Sequence, residues 1–136
     1  MQLIESIVAD AASIAAVRRD LHAHPELCFE EVRTADLIAS KLTEWGIEIH
    51  RGLGTTGIVG VISNGRSSRA VGLRADIDAL PMTEHNRFAH SSRHAGRMHA
   101  CGHDGHTAML LAAARHLASH RNFDGTVYLV FQPAEE

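Results

Sequence analysis

Residues Met98–Ala114, M-H-A-C-G-H-D-G-H-T-A-M-L-L-A-A-A, change character halfway along. The first nine residues hold one thiol, three imidazoles and one carboxylate; the rest is a small-residue, leucine-bearing run. That run predicts a helix from about Asp104 to His120, with Met109, Leu110, Ala113, Ala114 and Leu117 on its buried face. Asp104 stands at the expected N-cap, which would aim the first-turn N–H groups toward Cys101 and His103. A thiol near a helix N-terminus and beside imidazoles is biased toward thiolate, the metal-binding form. Taken singly, each of these residues reads first as an inert cysteine or a solvated histidine. Taken together, they read as a metal site.

Outward from this stretch, the pattern is that of an α/β fold. Downstream, Ser119–Gly125 turns the chain and Thr126–Phe131 is an apolar strand running into Gln132-Pro133-Ala134-Glu135-Glu136. That last strand is expected to lack a covering element. Upstream, Met82–Met98 has no clean period and reads as a long functional loop. Ala70–Asp76 reads as a strand ending on acidic residues. Ile47–Arg51 and Thr56–Ser63 are β-branched strands, with Asn64-Gly65 as a turn or hairpin signal. A helix from about Glu30 to Trp45 presents Val32, Leu37, Ile38 and Leu42, and Gly46 supplies its C′ position. The first helix, from Ile4 to about Leu21, presents Ile4, Ile7, Val8, Ala11, Ala15 and Leu21, and Pro25 stops it. His22 and His24 read mainly as a C-terminal turn complementing the helix dipole. The order predicts a mixed, largely parallel sheet flanked by helices.

Composition narrows the classes. The chain has 136 residues, a net charge of −3 and both charge signs interspersed, so no nucleic-acid surface is expected. No run is long and apolar enough for a membrane span, and no signal peptide is evident, so a soluble, cytoplasmic protein is expected. Two cysteines, Cys28 and Cys101, are too few for a disulfide scaffold and fit a reducing compartment, although a bridge between them stays open. The eleven histidines are unusual, and five fall between His90 and His106.

Topology brings three acidic or metal-binding pairs to one end of the sheet: Asp76 and Asp78, Cys101 and His103, Glu135 and Glu136. Ligands of open α/β sheets bind outside the carboxyl ends of the strands. Thiolate, imidazole and carboxylate suit zinc or a neighbouring first-row metal better than magnesium or calcium. A structural zinc finger would need four closed ligands, commonly from CxxC pairs, and the sequence has none. Paired glutamates suggest one metal ligand and one proton acceptor for a water whose pKa the metal lowers to about 7.

The motifs R-R-D-L-H-A-H-P-E-L (18–27), L-R-A-D-I-D-A-L-P-M (73–82), the 98–114 stretch and V-F-Q-P-A-E-E (130–136) occur in this order. Together they resemble the metal-dependent amidohydrolases that include hippurate hydrolase, the indole-acetyl-amino acid hydrolases and N-acetyldiaminopimelate deacetylase, within the aminoacylase and glutamate carboxypeptidase superfamily. The resemblance covers nearly the whole chain. It implies hydrolysis of the amide of N-acyl amino acids, with a metal-activated water and a glutamate base. It makes Cys101, His103 and Glu136 metal ligands and Glu135 the general base. The superfamily's His-x-Asp-x-x-Pro motif falls on Asp76–Pro81, so Asp78 matches the orienting aspartate while Asp76, in place of the histidine, is expected behind the ligands. His99 and His106 match the pattern without an implied ligand role. Two divalent ions per complete site are implied, drawn from zinc, manganese, cobalt and nickel, with a small-molecule substrate and homo-oligomers. Relatives are much longer, supplying further histidine ligands and a lid and dimerisation domain. Residues 1–136 are therefore expected to be the N-terminal, incomplete part of a catalytic domain, and a non-catalytic metal-binding domain is the competing reading.

Overall fold

The computed structural model describes residues 4–136. Its elements run α1 (Glu5–Ala23), α2 (Val32–Glu44), β1 (Glu48–Leu53), β2 (Gly57–Asn64), β3 (Ala70–Asp76), α3 (His103–Ser119) and β4 (Gly125–Gln132). The strands form one mixed sheet in the order β1-β2-β4-β3. Its parallel part is confined to β3–β4, while β1–β2 and β2–β4 are antiparallel. The long connection through α3 returns the chain parallel to β3, as a crossover must. Asn64-Gly65 is a turn but not a hairpin: β2 pairs with β1 and β4, and Asn64 instead donates its side-chain amide to the carbonyls of Arg121 and Phe123.

Alternation along the strands builds one apolar face. Ile58 and Ile62 of β2, Ala75 of β3, and Val127, Leu129 and Phe131 of β4 are all buried. Against them pack Ala35, Ile38, Ala39 and Leu42 of α2 and Leu110, Leu111 and Ala114 of α3. The final strand is thus interior to the sheet, between β2 and β3, and not uncovered as expected.

Three helix faces differ from the expected ones. Val32 and Met109 are exposed, at 58% and 64%, and Thr34, Ala35 and Leu111 take the buried places. In α1, Ile4 and Val8 are exposed, and the partly buried stripe is Ile7, Ile14, Val17 and the buried Leu21. α1 packs along α3, tied by Ser6 to His116 and by Arg115 to Asp10, and this contact fixes its phase. α2 ends as expected: Gly46 is left-handed (φ 68°), Gly46 N–H donates to Thr43 O, and Ile47 N–H donates to Leu42 O. Among the described residues no helix is long and apolar enough to cross a membrane.

Candidate metal centre

The parallel register pairs Asp76 with Gln132, so the segments leaving β3 and β4 start side by side, and Ile77 N–H donates to Gln132 O. α3 begins at His103, directly facing them. Its N-cap is Gly102, at φ 97°, and a residue with a Cβ would be strained there. Asp104, expected as the cap, lies inside the first turn, because its carboxylate is drawn away to α1. It accepts from His22 Nδ1 at 2.8 Å and pairs with Arg18 Nε at 2.7 Å.

Asp78 is the hub of the site. It is buried, at 1% exposure. His103 Nδ1–H donates to its backbone oxygen (3.0 Å) and to Oδ1 (3.1 Å), while Oδ2 accepts the backbone N–H of Glu135 (2.8 Å) and of Glu136 (3.0 Å). One carboxylate therefore sets the tautomer of His103 and anchors both glutamates. With Nδ1 carrying the proton, the neutral imidazole presents the lone pair of Nε2.

That lone pair faces acid. Asp76 Oδ1, Glu135 Oε2 and Glu136 Oε1 each lie 3.7 Å from His103 Nε2. This is too long for a hydrogen bond. It is near the roughly 3.3–3.5 Å separating two ligands of one tetrahedral zinc at bond lengths of about 2.0–2.2 Å. Donor atoms of Cys101, His103 and Glu136 all lie within 4.8 Å of one another. The structure thus brings together the three residues expected as ligands. Thiol, imidazole and carboxylate are a donor set that fits zinc or its first-row neighbours.

Cys101 also sits among acidic groups. Its hydrogen bond to Glu136, burial, and the charges of Glu136, Glu135 and Asp76 push the thiol above its ordinary value of 9.0. Without a cation, these carboxylates favour the protonated thiol. Both Cys101 and Cys28 are exposed and free.

A second set, Asp76, His103 and His106, also has its donor atoms within 4.8 Å. His106 Nδ1 approaches Asp76 Oδ1 at 2.6 Å and Arg74 reaches Oδ2 at 3.3 Å. Burial raises the Asp76 carboxyl most, but the His106 hydrogen bond and the charges of His103 and His106 together hold it below the ordinary range. One Nε2 serves one ion, so the two sets are alternatives around a single imidazole.

Several other residues take places that the sequence pattern leaves open. His22 is buried and bridges Asp104 to Glu84, whose Oε1 lies 3.2 Å from Nε2, so it is not a mere helix-end cation. His24 does behave that way, donating Nδ1–H to Asp20 O at 2.8 Å. His99 is buried with both ring nitrogens unpartnered, and burial lowers its pKa to about 4. Glu26 caps α2 from outside, accepting Arg33 N–H (3.0 Å) and Thr34 N–H (2.8 Å), and its backbone oxygen accepts Ala79 N–H (2.8 Å). The long loop is anchored where Glu84 accepts Ser92 N–H and where Leu80 bridges Met98. The signal for His22 and Glu26 was the H-A-H-P-E run itself, which reads as a helix end until the fold brings the loops to it.

The chain is similar to known proteins along its whole length. The family model described as peptidase family M20/M25/M40 matches residues 72–136. The chain is 48% identical over 136 residues to hippurate hydrolase of Campylobacter jejuni, covering all of this chain and 35% of that protein. It is 50% identical over 121 residues to IAA-amino acid hydrolase ILR1-like 2 of Arabidopsis thaliana, covering 88% of this chain and 27% of that one. The chain thus spans about a third of these relatives' length. Among solved structures, the Bacillus subtilis YXEP protein, described as a dinuclear metal binding peptidase, superposes with a TM-score of 0.88 at 44% identity. That match covers 94% of this chain and 36% of the other. With the motifs in order, the strand-end cluster assembled and the similarity extending from end to end, the chain belongs to the M20 peptidase family.

Proposed function

We propose that this chain carries the metal-holding part of an amidohydrolase site that cleaves the amide of N-acyl amino acids. The observation that carries the reading is the convergence of Cys101, His103 and Glu136 around one point, with the His103 lone pair aimed among carboxylates. A divalent cation held by these three would offset the carboxylate repulsion, favour the Cys101 thiolate and supply an acidified water together with polarisation of the amide carbonyl. Asp78 keeps His103 in the ligating tautomer and fixes the backbone of Glu135 and Glu136. Glu135, its side chain 40% exposed, stays free to accept the water's proton and return it to the leaving amine. Asp76, held by His106 and Arg74, lies on the Nε2 side of His103.

The substrate class rests on relatives named hippurate hydrolase, IAA-amino acid hydrolase and N-acyl-L-amino acid amidohydrolase. A second ion, as in the dinuclear relative, needs donors beyond this trio, and the reading leaves its identity among zinc, manganese, cobalt and nickel. We take residues 1–136 as one part of a longer catalytic domain.

The test is hydrolysis of N-benzoylglycine and N-acetyl amino acids by a polypeptide that carries this chain together with the rest of the relatives' length. Turnover lost to chelator and regained with one of these metals supports the reading. Turnover that persists through exhaustive chelation refutes it.

A further inference from the structure

Three consecutive backbone N–H groups, those of Ala134, Glu135 and Glu136, each donate to a carboxylate. Asp78 takes the last two. Ala134 N–H donates to Glu31 Oε1 at 2.9 Å, across 103 residues of sequence. Glu31 is 0% exposed, and its other oxygen accepts the Thr56 hydroxyl at 2.6 Å. Among the described residues no basic side chain pairs with it. Burying a carboxylate without a cationic partner is costly unless its oxygens are well used. Here one oxygen is spent on Ala134, whose φ of 52° lies in the left-handed region that alanine rarely adopts.

We propose that Glu31 is a positioning residue of the metal centre: through Ala134 N–H it holds the left-handed step that turns Glu135 and Glu136 toward His103. The proposal rests on the metal reading given above. Glu31 and Asp78 then act as two clamps on one three-residue turn. Glu31 sets where the turn leaves Pro133, and Asp78 sets where it meets α3. Thr56 donates to the other Glu31 oxygen from the β1–β2 connection, just ahead of the strand that pairs with β4.

The test compares Glu31→Gln with Thr56→Val in a polypeptide that carries this chain together with the rest of the relatives' length. Glutamine keeps the shape but replaces a charge-assisted hydrogen bond with a neutral one about half as strong. Valine removes the Thr56 hydrogen bond while leaving the Ala134 contact. Amide hydrogen exchange is read without metal, cobalt affinity by titration, and stability by the urea midpoint. Glu31→Gln is expected to speed exchange at Glu135 and Glu136, and to weaken cobalt binding about tenfold or more, the scale of groups that support metal ligands from behind. Thr56→Val is expected to lower the urea midpoint at least as far while changing cobalt affinity little. Cobalt binding by Glu31→Gln equal to wild type overturns the proposal, as does an affinity loss that merely tracks the midpoint in both variants. Should Glu31→Gln fail to fold, Glu31→Asp carries the same comparison, since it keeps the charge but falls a methylene short of Ala134. A wild-type chain that binds no cobalt defeats the metal reading itself. The exchange rates still decide the present proposal, and unchanged exchange at Glu135 and Glu136 overturns it.

Discussion

Replacing Asp78 by asparagine tests the hub of the site with almost no change in shape. The native carboxylate accepts three N–H groups besides offering its backbone oxygen: His103 Nδ1 at 3.1 Å, Glu135 N at 2.8 Å and Glu136 N at 3.0 Å. Asparagine has one acceptor oxygen and one NH2. If the oxygen faces the two backbone amides, the NH2 meets His103 Nδ1–H, donor against donor. The imidazole can relieve that only by moving its proton to Nε2, which removes the lone pair a metal needs. If the amide is flipped, two backbone N–H groups lose their acceptor. A donor left unpaired in a buried site costs roughly 1–3 kcal/mol. The cheaper orientation leaves one such conflict, so the expected loss of stability is about 1–3 kcal/mol, and metal affinity should fall about 10–100-fold. Urea denaturation of the metal-free chain reads the first, and zinc competition against a chromophoric chelator reads the second. A stability change under about 0.5 kcal/mol, the range of ordinary surface substitutions, together with unchanged zinc affinity would refute the assigned role.

The two glutamates should separate in a full-length relative-like protein. Glu135→Gln should retain metal but lose roughly two to four orders of magnitude in turnover, the usual contribution of a general base, whereas Glu136→Gln should lose metal first and regain activity with excess metal. Metal content and turnover on both variants check this, and the reverse pattern exchanges the roles. Metal-free Cys101 should react with iodoacetamide only as pH rises past the thiol's ordinary value of 9.0, because Glu136 and its neighbours raise it. The folded state binds that proton more tightly than the unfolded chain, so stability should fall as pH climbs through this range. Bound metal should block alkylation altogether, and equal rates with and without metal would remove Cys101 from the ligand set. His99 should stay neutral down to about pH 4, lowered from 6.5 by burial. The unfolded chain takes up that proton first, so this group's contribution to stability is lost as pH falls from 6.5 toward 4. A His99 ring resonance titrating near 6.5 would contradict its burial.

How much of this was legible depends on the range of the interaction. Elements written in local pattern were clear: β3 occupies Ala70–Asp76 as expected, and Gly46 ends α2 because only a left-handed residue closes those carbonyls. The convergence of Cys101, His103 and Glu136 was also legible, because Gly102 and the parallel β3–β4 pair fix it through backbone geometry. Helix faces were less so. Met109 and Val32 sit next to equally apolar neighbours, and which one is buried is set by the phase of the packing partner. Asp104 shows the limit plainly. By local rules it is an N-cap, yet His22, 82 residues away, and Arg18 claim its carboxylate. Glu31 is similar: beside Val32 it looks like a helix flank, and only the folded chain brings Thr56 and Ala134 to its two oxygens. The protonated form of metal-free Cys101 was not legible for the same reason, since its acidic partners arrive from β3 and the end of β4.

The most direct test of the central claim is the coordination of cobalt or zinc bound to this chain, read by X-ray absorption at the metal edge alongside the cobalt charge-transfer spectrum. The account predicts one sulfur at about 2.3 Å with nitrogen and oxygen donors near 2.0–2.2 Å. The sulfur and its charge-transfer band should vanish in Cys101→Ser, while Cys28→Ser leaves both unchanged. A bound ion with no sulfur in its shell, or a sulfur that disappears only in Cys28→Ser, would contradict it.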